Sequence, residues 1–167
     1  MNTKELLFKK LEKLSIKSET FSHQPVFTCD EALEAKELLP EHGPIKNLFL
    51  KDKKKQFLLI CALHSTQIQL KALAKFLPAP ELRFAGPEDL LKHLDVLPGS
   101  VTPLALINDA GHVVNIILDE QIFEHKIIGV HPLSNDATTL LTPHDLLTFI
   151  KACDNPVRII DFRTVPI

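Results

Sequence analysis

Three short segments of this 167-residue chain place reactive side chains where they could do chemistry. The first is Gly43-Pro44-Ile45-Lys46-Asn47-Leu48-Phe49-Leu50, where a lysine enters an apolar strand straight from a loop. Strand alternation sets Lys46 and Leu48 on one face, and Asn47 and Phe49 on the other. An ammonium among apolar neighbours is costly unless it meets an anion. On spacing alone, an edge lysine snorkelling to water is the better reading. The second is Leu97-Pro98-Gly99-Ser100-Val101-Thr102-Pro103. One glycine and two prolines fix an unusual loop, able to turn backbone N–H groups toward an anion or a developing oxyanion. On spacing alone a plain connector explains it better.

The third segment is Gly129-Val130-His131-Pro132-Leu133-Ser134-Asn135-Asp136. His131 closes an apolar strand, Pro132 stops the pairing, and Ser134, Asn135 and Asp136 cluster in the turn. This is a titratable ring beside hydrogen-bonding groups, or a turn whose Asn and Asp satisfy their own backbone. The other histidines (23, 42, 64, 93, 112, 125 and 144) include no pair at the helical spacing of a zinc motif, and read as surface or structural. Cys29, Cys61 and Cys153 form no close-spaced metal pair, so neither metal nor cofactor is expected. There is no nucleophile elbow and no phosphate-binding glycine loop.

The elements that must position these residues follow from periodicity. Leu6, Leu7, Leu11 and Leu14 predict an amphipathic helix over 3–14. A strand is expected within 21–27, ending near Pro25. A second helix starts at Thr28, with Glu31 at capping-box spacing, and stops before Pro40. Ile45–Leu50 and Gln56–Leu63 predict a hairpin around a lysine-rich turn, followed by a helix over 68–77. A short strand is expected over 82–84. Pro87 opens a helix to Leu94. Strands are expected over 103–107, 112–118, 126–130 and 138–141, and a last helix over 145–151 capped by Thr142. The order is not a βαβ alternation. It predicts an α+β fold with a mixed, barrel-like sheet and flanking helices. One domain covers 1–153, and 154–167 is expected as a loosely docked tail.

Composition agrees with an ordinary globular domain, 45% hydrophobic and 24% charged. No stretch approaches the ~18 apolar residues of a membrane span, and no signal peptide is expected. A reducing cytoplasm is the expected location. A net charge of −2 argues against wrapping DNA or a long nucleic acid, yet permits a local basic patch that grips one RNA end.

Taken together, Lys46-Asn47, the Gly99-Ser100-Val101-Thr102-Pro103 loop with its Gly-x-x-x-Pro pattern, and Gly129-Val130-His131-Pro132 followed by Asn135 resemble one family. It is the YbaK and prolyl-tRNA synthetase editing-domain superfamily, nearest its free-standing Ala-tRNA(Pro) deacylases. The resemblance spans residues 4–151. It implies hydrolysis of alanine from the 3′ adenosine of mischarged tRNA(Pro), with Lys46, Gly99 and His131 as the catalytic set. Lys46 and Asn47 would contact the terminal nucleotide. Ser100, Val101, Thr102, Pro103 and Asn135 would bind the aminoacyl group and ribose, and His131 would line the amino-acid pocket. Implied partners are the tRNA(Pro) acceptor end and, as proteins, prolyl-tRNA synthetase or an elongation factor. An aminoacyl ester is already activated, so positioned water and oxyanion stabilisation suffice without a triad or metal. The competing readings are a Cys-tRNA(Pro) deacylase of the YbaK type, a non-catalytic module that docks on tRNA or a synthetase, and a hydrolase of some other small ester.

Overall fold

The computed structural model describes residues 3–166, apart from the Cys29 side chain. Helix α1 (Thr3–Lys13) buries Leu7 and Leu11, one turn apart. Strand β1 (Glu19–Ser22) ends earlier than expected, and Pro25 lies outside the ladder because it has no N–H to donate. Helix α2 (Cys29–Glu37) starts where the capping pattern predicts. The Thr28 side chain accepts from Glu31 N–H, while Glu31 Oε2 accepts from Phe27 N–H, one residue before the cap.

Strands β2 (Gly43–Lys51) and β3 (Phe57–Leu63) form the expected antiparallel hairpin. Helix α3 (Leu70–Phe76), strand β4 (Arg83–Phe84) and helix α4 (Pro87–Leu94) follow. The segment Pro103–Asn108 is a 3-10 helix rather than the expected strand. Pro103 cannot donate to a ladder, and the Thr102 hydroxyl accepts from Leu104 N–H, which starts the turn. Strands β5 (Val114–Asp119), β6 (Ile128–Val130) and β7 (Ala137–Leu141) come next. Helix α5 (Pro143–Ala152) is capped by Thr142, whose hydroxyl accepts from Asp145 N–H.

The last segment corrects the expectation of a loose tail. Val157–Ile160 forms β8, which pairs in parallel with β5 and blunts that strand's edge. Ile160 and Phe162 are buried behind it. Ile167 lies outside the described residues.

The sheet runs β1-β7-β6-β2-β3-β5-β8, with β4 also on β2. The β2–β6, β3–β5 and β5–β8 pairs are parallel and the rest antiparallel, so the sheet is mixed as expected and the class is α+β. It is not a closed barrel, because among the described residues β1 and β8 do not pair.

Central strands covered on both faces read as continuous apolar runs, as Phe57–Leu63 does. Phe49, Leu59, Cys61, Ile116 and Leu118 point to one face, under α1, α4 and α5. Leu50, Leu58, Ile60 and Ile117 point to the other, under Leu73 of α3. This two-sided packing holds the β2 edge that carries Lys46 and Asn47.

Candidate functional site

Three strand ends meet at one corner of the sheet. β2 begins at Gly43 beside the end of β3, and β6 runs parallel to β2 with Gly129 opposite Pro44. His42, His64 and His131 each stand one residue outside one of these strands. With Asn47, Thr138 and residues of α2, they line a cleft of about 70 Å³. Gly129 is needed there because a Cβ on it would come within 2.8 Å of the His42 ring and 2.9 Å of Thr138 Cγ2.

Hydrogen bonds fix the ring nitrogens. His131 Nδ1 lies 3.0 Å from Ala137 O. A carbonyl can only accept, so Nδ1 carries the proton and Nε2 is left as an acceptor. His42 Nδ1 donates to Pro40 O at 2.8 Å in the same way. Burial holds both rings below the ordinary imidazole pKa, and for His131 the neighbouring His23 adds to the effect. Both are neutral at pH 7. His23 Nδ1 donates to Gln24 O at 2.7 Å, and its Nε2 lies 2.8 Å from the Thr138 hydroxyl.

Lys46 and Asn47 leave β2 on opposite faces, as alternation requires. Asn47 lines the cleft, and its Oδ1 is buried with no hydrogen-bond partner among the described residues. An orphaned buried acceptor costs about 1–3 kcal/mol. Lys46 does not line the cleft. Its ammonium donates to Thr66 O, just past the end of β3. Thr66 is held in turn by fully buried Asp119, which accepts from the Thr66 hydroxyl at 2.5 Å, from Leu63 N–H at 3.2 Å and from Gln121 N–H at 3.1 Å. Asp119 thus ties the ends of β3 and β5 together and positions the carbonyl that holds Lys46.

The loop at Gly99 does not line the cleft either. It packs on the turn after His131, where Asn135 Nδ2 donates to Val26 O at 2.8 Å. Leu97-Pro98-Gly99-Ser100 forms a turn closed by Ser100 N–H to Leu97 O at 3.0 Å, with Gly99 at φ +90. Pro at the second position and Gly with positive φ at the third make this a type II turn. A Cβ on Gly99 would meet Asn135 Nδ2 and Phe27 Cδ1 only at 3.5 Å, so backbone conformation and not crowding demands the glycine. Ser100, Thr102 and Pro103 are buried, and Val101 packs against the core. The N–H groups of Gly99 and Val101 find no acceptor among the described residues. Ser134 and Asp136 bond to each other, and Lys4 of α1 donates to Ser134.

Sequence patterning does not single out His42, His64 or Asp119. The two histidines bracket the hairpin, one residue before β2 and one after β3, and that position is the available signal. Asp119 offers none, since a strand-terminal aspartate is ordinary.

The profile of the aminoacyl-tRNA editing domain family matches residues 23–149. A prolyl-tRNA synthetase associated domain-containing protein 1 from Bos taurus is 41% identical over 162 residues, 93% of each chain. The prolyl-tRNA editing protein ProX of Acetoanaerobium sticklandii is 32% identical over 162 residues, 96% of this chain and 98% of that one. Among solved structures, a candidate trans-editing enzyme for prolyl tRNA synthetase superposes with a TM-score of 0.71 at 19% identity, over 96% of this chain and 97% of that one. At that identity the superposition speaks for the fold.

Proposed function

Because the chain belongs to the aminoacyl-tRNA editing domain family, we propose that it hydrolyses the ester of a small amino acid, alanine, from mischarged tRNA(Pro). The observation that carries this is the cleft, lined by neutral His131 and by Asn47, whose buried Oδ1 has no hydrogen-bond partner among the described residues. A hydroxyl of the terminal ribose gives Asn47 the missing donor. The neutral His131 Nε2 accepts from the attacking water and aligns it on the ester carbonyl. With the ester carbonyl at the His131 end of the cleft, toward the turn on which the Gly99 loop packs, the free N–H groups of that loop stabilise the charge that gathers on the carbonyl oxygen as the water adds. Collapse of the adduct releases the amino acid and the ribose hydroxyl. Lys46, held at Thr66, meets the phosphate that precedes the terminal nucleotide.

A small cleft suits a small amino acid such as alanine. Serine and cysteine differ from alanine by one atom, a distinction worth only about 1–3 kcal/mol in a pocket of this kind. Parallel deacylation of tRNA(Pro) carrying alanine, serine or cysteine tests the reading. Alanine release outpaces the other two if it is right, and preferred release of cysteine overturns the choice of substrate.

A further inference from the structure

Charge is distributed unevenly along this chain. Residues 51–83 hold seven Lys or Arg against two Asp or Glu, while the rest holds twelve against nineteen. The excess is gathered in space. The β2–β3 turn carries Lys53, Lys54 and Lys55, and α3 carries Lys71 and Lys75 one helical turn apart. Lys53 N–H donates to Pro80 O at 2.8 Å, which docks the turn against the chain leaving α3. Between them runs an open groove of about 760 Å³, whose charged lining residues are Lys54, Lys71, Lys75 and Glu81.

The nearby acids are already answered. Lys51 pairs with Asp89 at 2.7 Å, Lys53 with Glu81 at 3.6 Å, and Asp52 is fully buried. Lys54, Lys71 and Lys75 are exposed and have no carboxylate partner among the described residues. Three unpaired cations along one groove, in a chain that is acidic elsewhere, present a surface complementary to a run of phosphates. By contrast, α2 at the mouth of the cleft carries Asp30, Glu31, Glu34 and Glu37, which repel a polyanion.

The groove shares a face of the sheet with Lys46. Lys46 leans to the sheet face that α3 covers, since Leu48 and Leu50 of the same parity pack in the cluster containing Leu73. Thr66, which holds Lys46, stands four residues before α3 begins. From Lys46 to the start of the β2–β3 turn is six strand residues, about 20 Å. Lys46 and the groove thus lie along the same face of β2, within the span of one nucleic-acid strand.

We propose that the face formed by α3 and the β2–β3 turn docks the phosphate backbone of an RNA stem, with Lys54, Lys71 and Lys75 as its cations. This rests on the cleft receiving a tRNA 3′ end. Contacts of this kind are blind to sequence and strongly dependent on salt.

The test compares wild type with the triple variant Lys54→Gln/Lys71→Gln/Lys75→Gln. A control of equal charge change, Lys9→Gln/Lys13→Gln/Lys17→Gln, sits in and just after α1. Binding of uncharged tRNA(Pro) is followed by fluorescence anisotropy across a salt series. Deacylation is measured on full-length alanyl-tRNA(Pro) and on a 3′-alanyl CCA trinucleotide, which has no stem. The groove variant should lose about 2–3 from the slope of log K against log salt. Its KM for full-length substrate should rise about tenfold at low salt, with trinucleotide turnover unchanged. A slope equal to wild type, an equal loss in the control, or loss of trinucleotide turnover would overturn the proposal. If wild type binds RNA through these lysines yet hydrolyses neither ester, the deacylase reading fails and the docking surface stands.

Discussion

Replacing Gly99 by alanine separates a catalytic loop from a mere connector. Gly99 occupies the third position of a type II turn at φ +90. A methyl group at this position would stand 3.5 Å from its nearest neighbours, so Gly99→Ala adds no clash and its cost is backbone strain. Holding a residue with a Cβ in left-handed backbone costs about 1–2 kcal/mol. For a domain of this size each kcal/mol moves Tm by about 2–4 °C, which gives a fall of about 2–8 °C. Relief of that strain rotates the peptide planes on either side of residue 99 and turns the Gly99 N–H away from its native direction. Loss of one oxyanion donor lowers kcat by about 10²–10³. Thermal unfolding by circular dichroism and single-turnover deacylation should be run on Gly99→Ala and Ser100→Ala together. The expected result is a modest Tm loss with a large rate loss in Gly99→Ala, and little rate change in Ser100→Ala. A Gly99→Ala protein with lowered Tm and unchanged turnover per folded molecule would refute the oxyanion role. A large rate loss confined to Ser100→Ala would route the chemistry through a hydroxyl instead.

Other outcomes follow from the same geometry. Asp119→Ala leaves the Leu63 and Gln121 N–H groups and the Thr66 hydroxyl without their acceptor. Urea titration should show a stability loss of about 2–5 kcal/mol, and a loss under about 1 kcal/mol would mean that water replaces the carboxylate freely. Lys46→Ala should keep Tm within a few degrees and raise KM for aminoacyl-tRNA, whereas wild-type KM at low salt would remove Lys46 from the site. The folded pKa values of His42 and His131 lie below the unfolded value of about 6.5, so on acidification the unfolded state takes up their protons first. Stability contributed above about pH 6.5 is therefore lost as pH falls toward the lowered folded values. Tm should decline from about pH 7.5 to 5.5 with a shallower slope in His131→Asn, and identical slopes would show that His131 does not titrate in that range. Incubation with a strong chelator should leave deacylation intact, and activity lost and then restored by zinc would mean that a metal takes part.

Local chemistry made much of the fold legible. The Thr28 and Thr142 caps, Pro87 at a helix start and the apolar runs of β2 and β3 stand where the sequence puts them, because each is decided by residues within one turn or one strand. Two expectations failed, each for its own reason. Pro103–Asn108 is apolar enough for a strand, but a proline start and the Thr102 hydroxyl tipped it into a 3-10 helix. Residues 157–160 read as a tail because only the exposed edge of β5, invisible in sequence, makes them a strand. The site divides along the same line. Parity correctly separated Lys46 from Asn47, since alternation is local. The meeting of His42, His64 and His131 depends on β6 running parallel beside β2, a pairing between segments distant in the chain, Gly43 with Ile128 and Pro44 with Gly129.

Whether the cleft opens an aminoacyl ester is tested most directly by the rate of alanine release from Ala-tRNA(Pro) by the purified protein, set against Pro-tRNA(Pro) under the same conditions. The expected result is release far above spontaneous hydrolysis for the alanyl ester, with the prolyl ester left at its background rate. Hydrolysis of both at one rate, or an alanyl ester as stable with the protein as without it, would contradict the assignment.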